Sequence, residues 1–330
     1  MKRRAMTRRE LLQGSAALGC MAAIPEALVG GEAYAVGFGQ SVASSSQNAA
    51  KNSGVVNPLT PPASGSIPVA FVISDGAVMI DFAGPWEVFQ DAWVPSRGQD
   101  MNMQMPFQLY TVSERTEPIR TSGGMKIVPD YSLKDAPPPK VIVIPAQSGA
   151  TAATIDWIRE ASKQTDVTMS VCTGALLLAQ TGLLKGRAAT THHSSYIQLA
   201  LDHPEIRVKP GYRFVEDGNV ATAGGLTSGI DLALRVVERY FGRAAADETV
   251  YQMEYQGKGW VDASGSSNAL YAKGRGGMTC PVCGMSTDKD MSPSVVYKGK
   301  TYYFCMDNHK ALFESAPEKV LRMMAGEALQ

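Results

Sequence analysis

The chain has 330 residues, 45% of them hydrophobic, and its 31 basic side chains are balanced by 31 acidic ones. That length and apolar fraction allow two domains, at least one of them with a sizeable core. A formal net charge of zero supplies no basic field for neutralising phosphates, which excludes nucleic acid as an expected partner.

At the start of the chain, Lys2, Arg3 and Arg4 precede Thr7-Arg8-Arg9-Glu10-Leu11-Leu12, two arginines ahead of an apolar pair, as in a twin-arginine export signal. The apolar stretch that follows, Gly14 to Gly30, is interrupted by Pro25 and Glu26. It is shorter than the ~20 residues that cross a bilayer, so a retained membrane span is not expected. Ala33-Tyr34-Ala35 supplies a small-x-small cleavage site and predicts a mature start at Val36, after a signal peptide over 1–35. A disordered basic tail is the plain alternative. Cys20 is a poor lipoprotein site because too little apolar sequence precedes it. The expected destination is the periplasm or the exterior.

Residues 36–66 are rich in Ser, Ala, Asn, Gly and Pro and read as a flexible linker. Four apolar runs of strand length follow, at Ile67 to Ile73, Phe107 to Val112, Val141 to Ile144 and Val167 to Val171. Helical periodicity lies between and after them, clearest at Ala152 to Ala161 and Leu226 to Phe241. Strands buried on both faces and alternating with helices predict an α/β domain over 67–256, its mainly parallel sheet sandwiched by helices. Gly, Ser and Asn cluster again at 257–277, a second linker. It leads to a C-terminal module, 278–324, too small to be held by an apolar core alone.

Thr168-Met169-Ser170-Val171-Cys172-Thr173-Gly174-Ala175 runs from an apolar strand directly into a small-residue helix, a nucleophile elbow with Cys in place of Ser. A thiol at a helix N-terminus meets free N–H groups and the positive end of the dipole, so Cys172 is expected to ionise below the ordinary thiol range. A buried, inert cysteine is the competing reading of the same residues.

Five ordered motifs carry a resemblance. They are Asp81-Phe82-Ala83-Gly84-Pro85-Trp86-Glu87-Val88-Phe89, Val171-Cys172-Thr173-Gly174, Gly182-Leu183-Leu184-Lys185-Gly186-Arg187, Ala189-Thr190-Thr191-His192, and Asp217-Gly218-Asn219 leading to Ala223-Gly224-Gly225-Leu226-Thr227-Ser228-Gly229-Ile230-Asp231. Together they resemble the ThiJ/PfpI superfamily, which is class I glutamine amidotransferase-like and flavodoxin-like in fold, especially its isonitrile hydratase-like and AraC-regulator-associated branch. The resemblance implies Cys172 as the reactive thiol and Asp81 as the acid beside it, able to donate or accept a proton. A helix-capping role for Asp81 is the alternative. It also implies supporting roles for Thr173 and His192, a pocket-lining or surface His193, and a mainly structural Glu87. The family usually has Pro-Gly-Gly where this chain has Pro145-Ala146-Gln147. Backbone N–H groups of Gln147 and Thr173 remain as a candidate anion hole, with strain expected at Ala146 and Gln147. Family members often form homodimers through surface helices.

In the C-terminal module, Cys280-Pro281-Val282-Cys283, then Cys305 and His309, pair a C-x-x-C with a C-x-x-x-H, a spacing that can converge as three sulfurs and one imidazole nitrogen. With Tyr297 to Cys305, Phe313 and Pro317, the segment resembles a YHS domain, a module associated with heavy metals, in which Cys commonly stands at the position of His309. Zinc or copper suits this donor set. In an oxidising compartment a Cys280–Cys283 disulfide competes with metal. Met101, Met103 and Met105 offer thioethers that could serve Cu(I), or are plain loop residues.

Two functions compete. One is an exported, thiol-dependent hydratase or lyase of the isonitrile hydratase type, acting on a small electrophilic carbon, with no cofactor at the thiol. The other is a non-enzymatic periplasmic protein that binds or senses metal or redox state through its C-terminal module. Transcription regulation is disfavoured, because no helix-turn-helix pattern follows the domain.

Overall fold

The computed structural model describes residues 56–262 and 278–325. The signal peptide, most of the first linker and residues 263–277 lie outside the described residues.

The strands are β1 Ile67–Val72, β2 Phe107–Ser113, β3 Tyr131–Ser132, β4 Val141–Ile144, β5 Val167–Val171, β6 Phe214–Asp217 and β7 Val220–Ala223. They form one seven-stranded sheet in the order β6-β7-β5-β4-β1-β2-β3. All pairs are parallel except β6 with β7, an antiparallel hairpin at one edge turned at Gly218, whose φ is +69°. Alternation along the central strands divides the apolar side chains between two layers. Val69, Phe71, Val141, Val143, Met169 and Val171 enter one core cluster, whereas Val72, Ile142 and Ile144 enter the other. This is why the strands read as continuous apolar runs.

Helices α1 (Met79–Asp91), α5 (Ser228–Phe241) and α6 (Arg243–Gln252) supply the first layer. Helices α2 (Ala152–Ala161), α3 (Gly174–Gln180) and α4 (Tyr196–Asp202) supply the second. Two further ribbons, Ile119–Arg120 with Lys126–Ile127 and Ala188–Ala189 with Arg207–Val208, are two residues wide. The chain leaves β1 toward β2 and returns on the other side through β4, so the strand order reverses between β1 and β4. In an open parallel sheet the crevice beyond the carboxyl ends at such a point gathers functional groups.

Two stretches expected as linkers are tied to the domain. The buried guanidiniums of Arg235 and Arg239 each ion-pair with Glu216, and they donate to the carbonyls of Val56 and Asn57 respectively. Arg97 donates to Pro62 and Gly65 carbonyls. Residues 56–66 are therefore held by hydrogen bonds rather than by an apolar period, which composition does not reveal. At the other end Trp260 is 3% exposed in the first core cluster, with Arg243 stacked over its ring at 4.6 Å. The expected linker at 257 thus begins inside the packed domain.

In the C-terminal module, strands β8 (Ser294–Tyr297) and β9 (Lys300–Tyr303) form a hairpin. Its turn, Lys298-Gly299, has positive φ at both residues, the twist that matches paired strands. Helices α7 (Asp307–Ser315) and α8 (Pro317–Met324) complete it. Its apolar side chains centre on Phe313, with Tyr297, Tyr302 and Phe304 ringed around it at 5.0–5.8 Å, and join the second core cluster of the α/β domain. Among the described residues no helix is long and apolar enough to cross a membrane.

Candidate active site and candidate metal centre

Cys172 sits at the turn between β5 and α3 with φ of +58°, in the left-handed region that a non-glycine residue occupies at a cost. Its surroundings maintain the conformation. The Cys172 N–H donates to the Gly224 carbonyl at 2.8 Å, and its carbonyl accepts from Thr191 Oγ1 at 2.9 Å. Gly174 permits the turn's close approach to β4, since a Cβ there would stand 2.2 Å from the Ile144 carbonyl oxygen.

Asp81 lies in the first turn of α1 and is fully buried. It does not cap the helix. Val78 holds the cap position without a side-chain bond, and Asp81 Oδ2 instead accepts the Ala146 N–H at 3.1 Å, bridging the point where the strand order reverses. Oδ1 has no nitrogen or oxygen partner among the described residues. The carboxyl and the Cys172 thiol are close enough to shift each other's pKa, and the backbone N–H groups of Thr173 and Leu226 act on the same sulfur to lower its own.

The electrostatics correct the expectation of an acidic thiol. Burial, with Cys172 only 7% exposed, pushes its pKa up to about 12, and the adjacent Asp81 charge adds to the shift. The N–H groups of Thr173 and Leu226 oppose this without reversing it. A seven-residue α3 brings little macrodipole against the loss of water. Burial likewise raises Asp81 to about 6, against the pull of the Ala146 N–H and the thiol. Near neutrality the pair therefore carries one proton, on sulfur, donated toward a carboxylate. Cys172 belongs to the first core cluster, so the sulfur sits among apolar side chains with the Asp81 carboxyl as its charged neighbour.

Ala146 and Gln147 are not among the residues with positive φ, so the strain expected from the missing glycines is absent. The Gln147 side chain explains how the loop is held, accepting from Ser74 at 2.6 Å and donating to the Val72 carbonyl at 3.0 Å. Its backbone N–H makes no hydrogen bond among the described residues. The Thr173 N–H, expected beside it in an anion hole, lies close enough to the Cys172 sulfur to lower its pKa.

His192 caps a short turn and bonds Ser194 Oγ through Nδ1 at 2.7 Å. Burial and the neighbouring His193, whose ring lies 4.0 Å away, lower its pKa to about 4, so it is neutral at physiological pH. It packs on Gly225, where a Cβ would meet its Cδ2 at 2.6 Å. It therefore packs against the loop whose Gly224 carbonyl accepts from the Cys172 N–H. Glu87 lies exposed on α1 and accepts from Gln90. Sequence reasoning missed Leu226. Its motif was visible, but nothing in the residue type announces a backbone N–H at the sulfur or a φ of +41°.

In the C-terminal module, the ligand atoms of Cys280, Cys283, Cys305 and His309 all lie within 4.8 Å of one another. Cys283 and Cys305 sulfurs are 3.5 Å apart, and His309 Nδ1 lies 3.2 Å from Cys305 and 3.6 Å from Cys280. Thiolates about 2.3 Å from a tetrahedral zinc stand about 3.8 Å apart, so the set fits such an ion with slight expansion. The three cysteines are free thiols, not disulfides. The C-x-x-C turn is closed by the Gly284 N–H on the Cys280 carbonyl, with Gly284 at φ of +72°. Hydrogen bonding between Cys280 and Cys283 lowers the Cys280 thiol and raises that of Cys283, so one proton is shared by the two sulfurs. Met101 and Met103 are exposed on a single helical turn, Met101–Gln104, with Met105 at its C-cap.

The DJ-1/PfpI family matches residues 68–239, more than half of the chain. The chain belongs to the DJ-1/PfpI family. The YHS domain matches residues 278–322, so this DJ-1/PfpI chain carries a YHS domain at its C-terminal end. An isonitrile hydratase of Pseudomonas putida is 32% identical over 195 residues, spanning 58% of this chain and 79% of the relative. Protein DJ-1alpha of Drosophila melanogaster is 29% identical over 146 residues, spanning 42% of this chain and 66% of its own length. The crystal structure of a ThiJ/PfpI family protein from Pseudomonas syringae superposes with a TM-score of 0.52 at 25% identity, covering 60% of this chain and 78% of that one. The chain is thus an isonitrile hydratase homologue with the DJ-1/PfpI sheet, and its YHS domain presents a Cys/His cluster compatible with metal.

Proposed function

We propose that this protein is a thiol-dependent hydratase of small molecules bearing an electrophilic carbon, of the isonitrile hydratase type. The observation that carries this reading is a fully buried Asp81 carboxyl set beside the thiol of an elbow cysteine held at positive φ, each shifting the other's pKa. As the sulfur adds to an isonitrile carbon, the S–H proton passes to Asp81 and on to that carbon, giving a thioimidate. Water then adds to the thioimidate carbon, Asp81 moves the proton, and the C–S bond breaks to return the thiol and release a formamide. Overall one water is consumed and nothing is oxidised. The Gln147 N–H is free to accept charge developing on the substrate, and Thr173 and Leu226 hold the sulfur. Neutral His192 positions the loop that carries the Leu226 N–H.

The test is hydration of simple alkyl isonitriles by the purified protein. Turnover that survives C172S, or is absent in the wild type, sinks the reading. Export through a twin-arginine signal is part of the proposal, supported by the order of basic, apolar and small residues before Val36. It is checked by the N-terminal mass of the protein recovered from the periplasm.

The Cys/His cluster favours a second role as a metal-binding element, with Cys280, Cys283, Cys305 and His309 as ligands of zinc or copper. It supplies no step at the thiol. A chain that binds metal and leaves isonitriles untouched would make metal or redox handling its main function.

A further inference from the structure

A cavity of about 290 Å³ opens beside the elbow, lined by Gln147 and Thr173, which flank the elbow in sequence and fold, and by Asp202 and His203 from the end of α4. Leu176 and Leu177 on α3 line its length, faced by Gln198 on α4. Cys172, Asp81 and His192 do not line it, so it adjoins the reacting groups rather than containing them. Thr173 is the link. Its N–H contacts the Cys172 sulfur while the residue forms the cavity's near wall. From Thr173 to Gln180, both of which line the cavity, the helix rises about 10 Å, the scale of the cavity's length.

The far end has a definite electrostatic character. Asp202 and Gln198 make no side-chain hydrogen bond or ion pair among the described residues, so both are available to a ligand. His203 already lies 3.6 Å from Glu205, which leaves the Asp202 carboxylate without a cationic neighbour. No lysine or arginine lines the cavity. An aliphatic wall leading to an uncompensated carboxylate and an amide complements a short methylene chain ending in an ammonium group.

We propose that this cavity binds the substrate's tail, and that the protein selects electrophiles carrying a protonated amine about six to eight atoms from the reacting carbon. The assignment rests on the hydratase reading, which supplies the reacting carbon. Asp202 acts as a specificity residue and takes no part in the chemistry.

The experiment compares hexyl isonitrile, 6-isocyanohexylamine and 6-isocyanohexanoate on wild type, D202N and D202K. Asp202 is exposed and unpartnered, so both variants keep the fold. The wild type should favour the amine over hexyl isonitrile about five-fold in kcat/KM, the size of one solvent-exposed ion pair, with the difference in KM. D202N should erase that preference without changing hexyl isonitrile turnover, and D202K should turn it toward the carboxylate. If the isonitriles turn over equally well in wild type and D202N, the cavity assignment is overturned and the hydratase reading survives. If none turns over, the hydratase reading falls, and calorimetric binding of N-(6-aminohexyl)formamide decides the cavity. Binding weakened by D202N sustains the assignment, and no binding overturns it.

Discussion

At the scale of single residues, the site turns on one proton shared between Asp81 and Cys172. Burial raises Asp81 from its ordinary 3.8 to about 6 in the folded chain. The folded state therefore binds that proton more tightly than the unfolded state. The associated stability is fully present below pH 3.8 and is lost as pH rises through about 6. A rise of that size corresponds to about 3 kcal/mol, so the D81N variant should lack a stability slope of that order between about pH 4 and 6, measured by urea unfolding across the series. His192 contributes with the opposite sign, because its lowered pKa makes stability fall as pH drops from 6.5 toward 4. Activity should rise with pH along a limb near 6, as Asp81 becomes the carboxylate that takes the thiol proton, and D81N should remove both limb and turnover. A wild-type profile flat from pH 5 to 8 would contradict this. The reactive cysteine and its acid were legible as motifs. The direction of the thiol's shift was not, because a helix N-terminus is visible in sequence while the loss of solvent around a side chain is not.

At the scale of elements, the elbow depends on backbones that approach closely. Gly174→Ala would place a methyl group 2.2 Å from the Ile144 oxygen, with backbone on both sides and no flexible atom to yield. A loss of about 3 kcal/mol is expected, together with loss of isonitrile turnover as α3 is pushed from β4. Leu226→Gly is the contrasting case. Relief of a left-handed φ, about 1 kcal/mol, offsets the extra chain entropy of glycine, so thermal unfolding should shift by no more than about 2 or 3 °C in either direction. A large destabilisation there would show that the half-exposed leucine side chain, and not its backbone, secures the loop. The strands at Val141–Ile144 and Val167–Val171 and the helix at Ala152–Ala161 were all readable, since burial on both faces and a 3.6-residue period leave direct marks in composition. The Gly224–Leu226 loop left no such mark. Its role comes from hydrogen bonds to a turn more than fifty residues earlier in the chain.

At the scale of the whole molecule, a domain with two apolar layers is followed by a module whose small core needs a further constraint. Metal supplied to the four-ligand cluster should bind with a stoichiometry of one, and C280S, C283S or C305S should abolish it, as read by elemental analysis of untagged protein. Because structural zinc supplies roughly 10 kcal/mol or more to such modules, chelation should strip hydrogen-exchange protection from α7, α8 and the β8–β9 hairpin. The amides of α5 should stay protected. Retained protection throughout would mean that packing of the Phe313 group within the second core cluster suffices. The local chemistry of the chain, its strand and helix periods, its elbow cysteine and its Cys/His spacing, could be inferred from residue order, because each depends on neighbours a few positions away. The reach of the domain into 56–66 and to Trp260, the protonation state of the Asp81–Cys172 pair and the cavity leading to Asp202 came only with the folded chain. Each depends on which distant groups replace water around a given atom, and that exclusion of solvent is a property of packing in three dimensions.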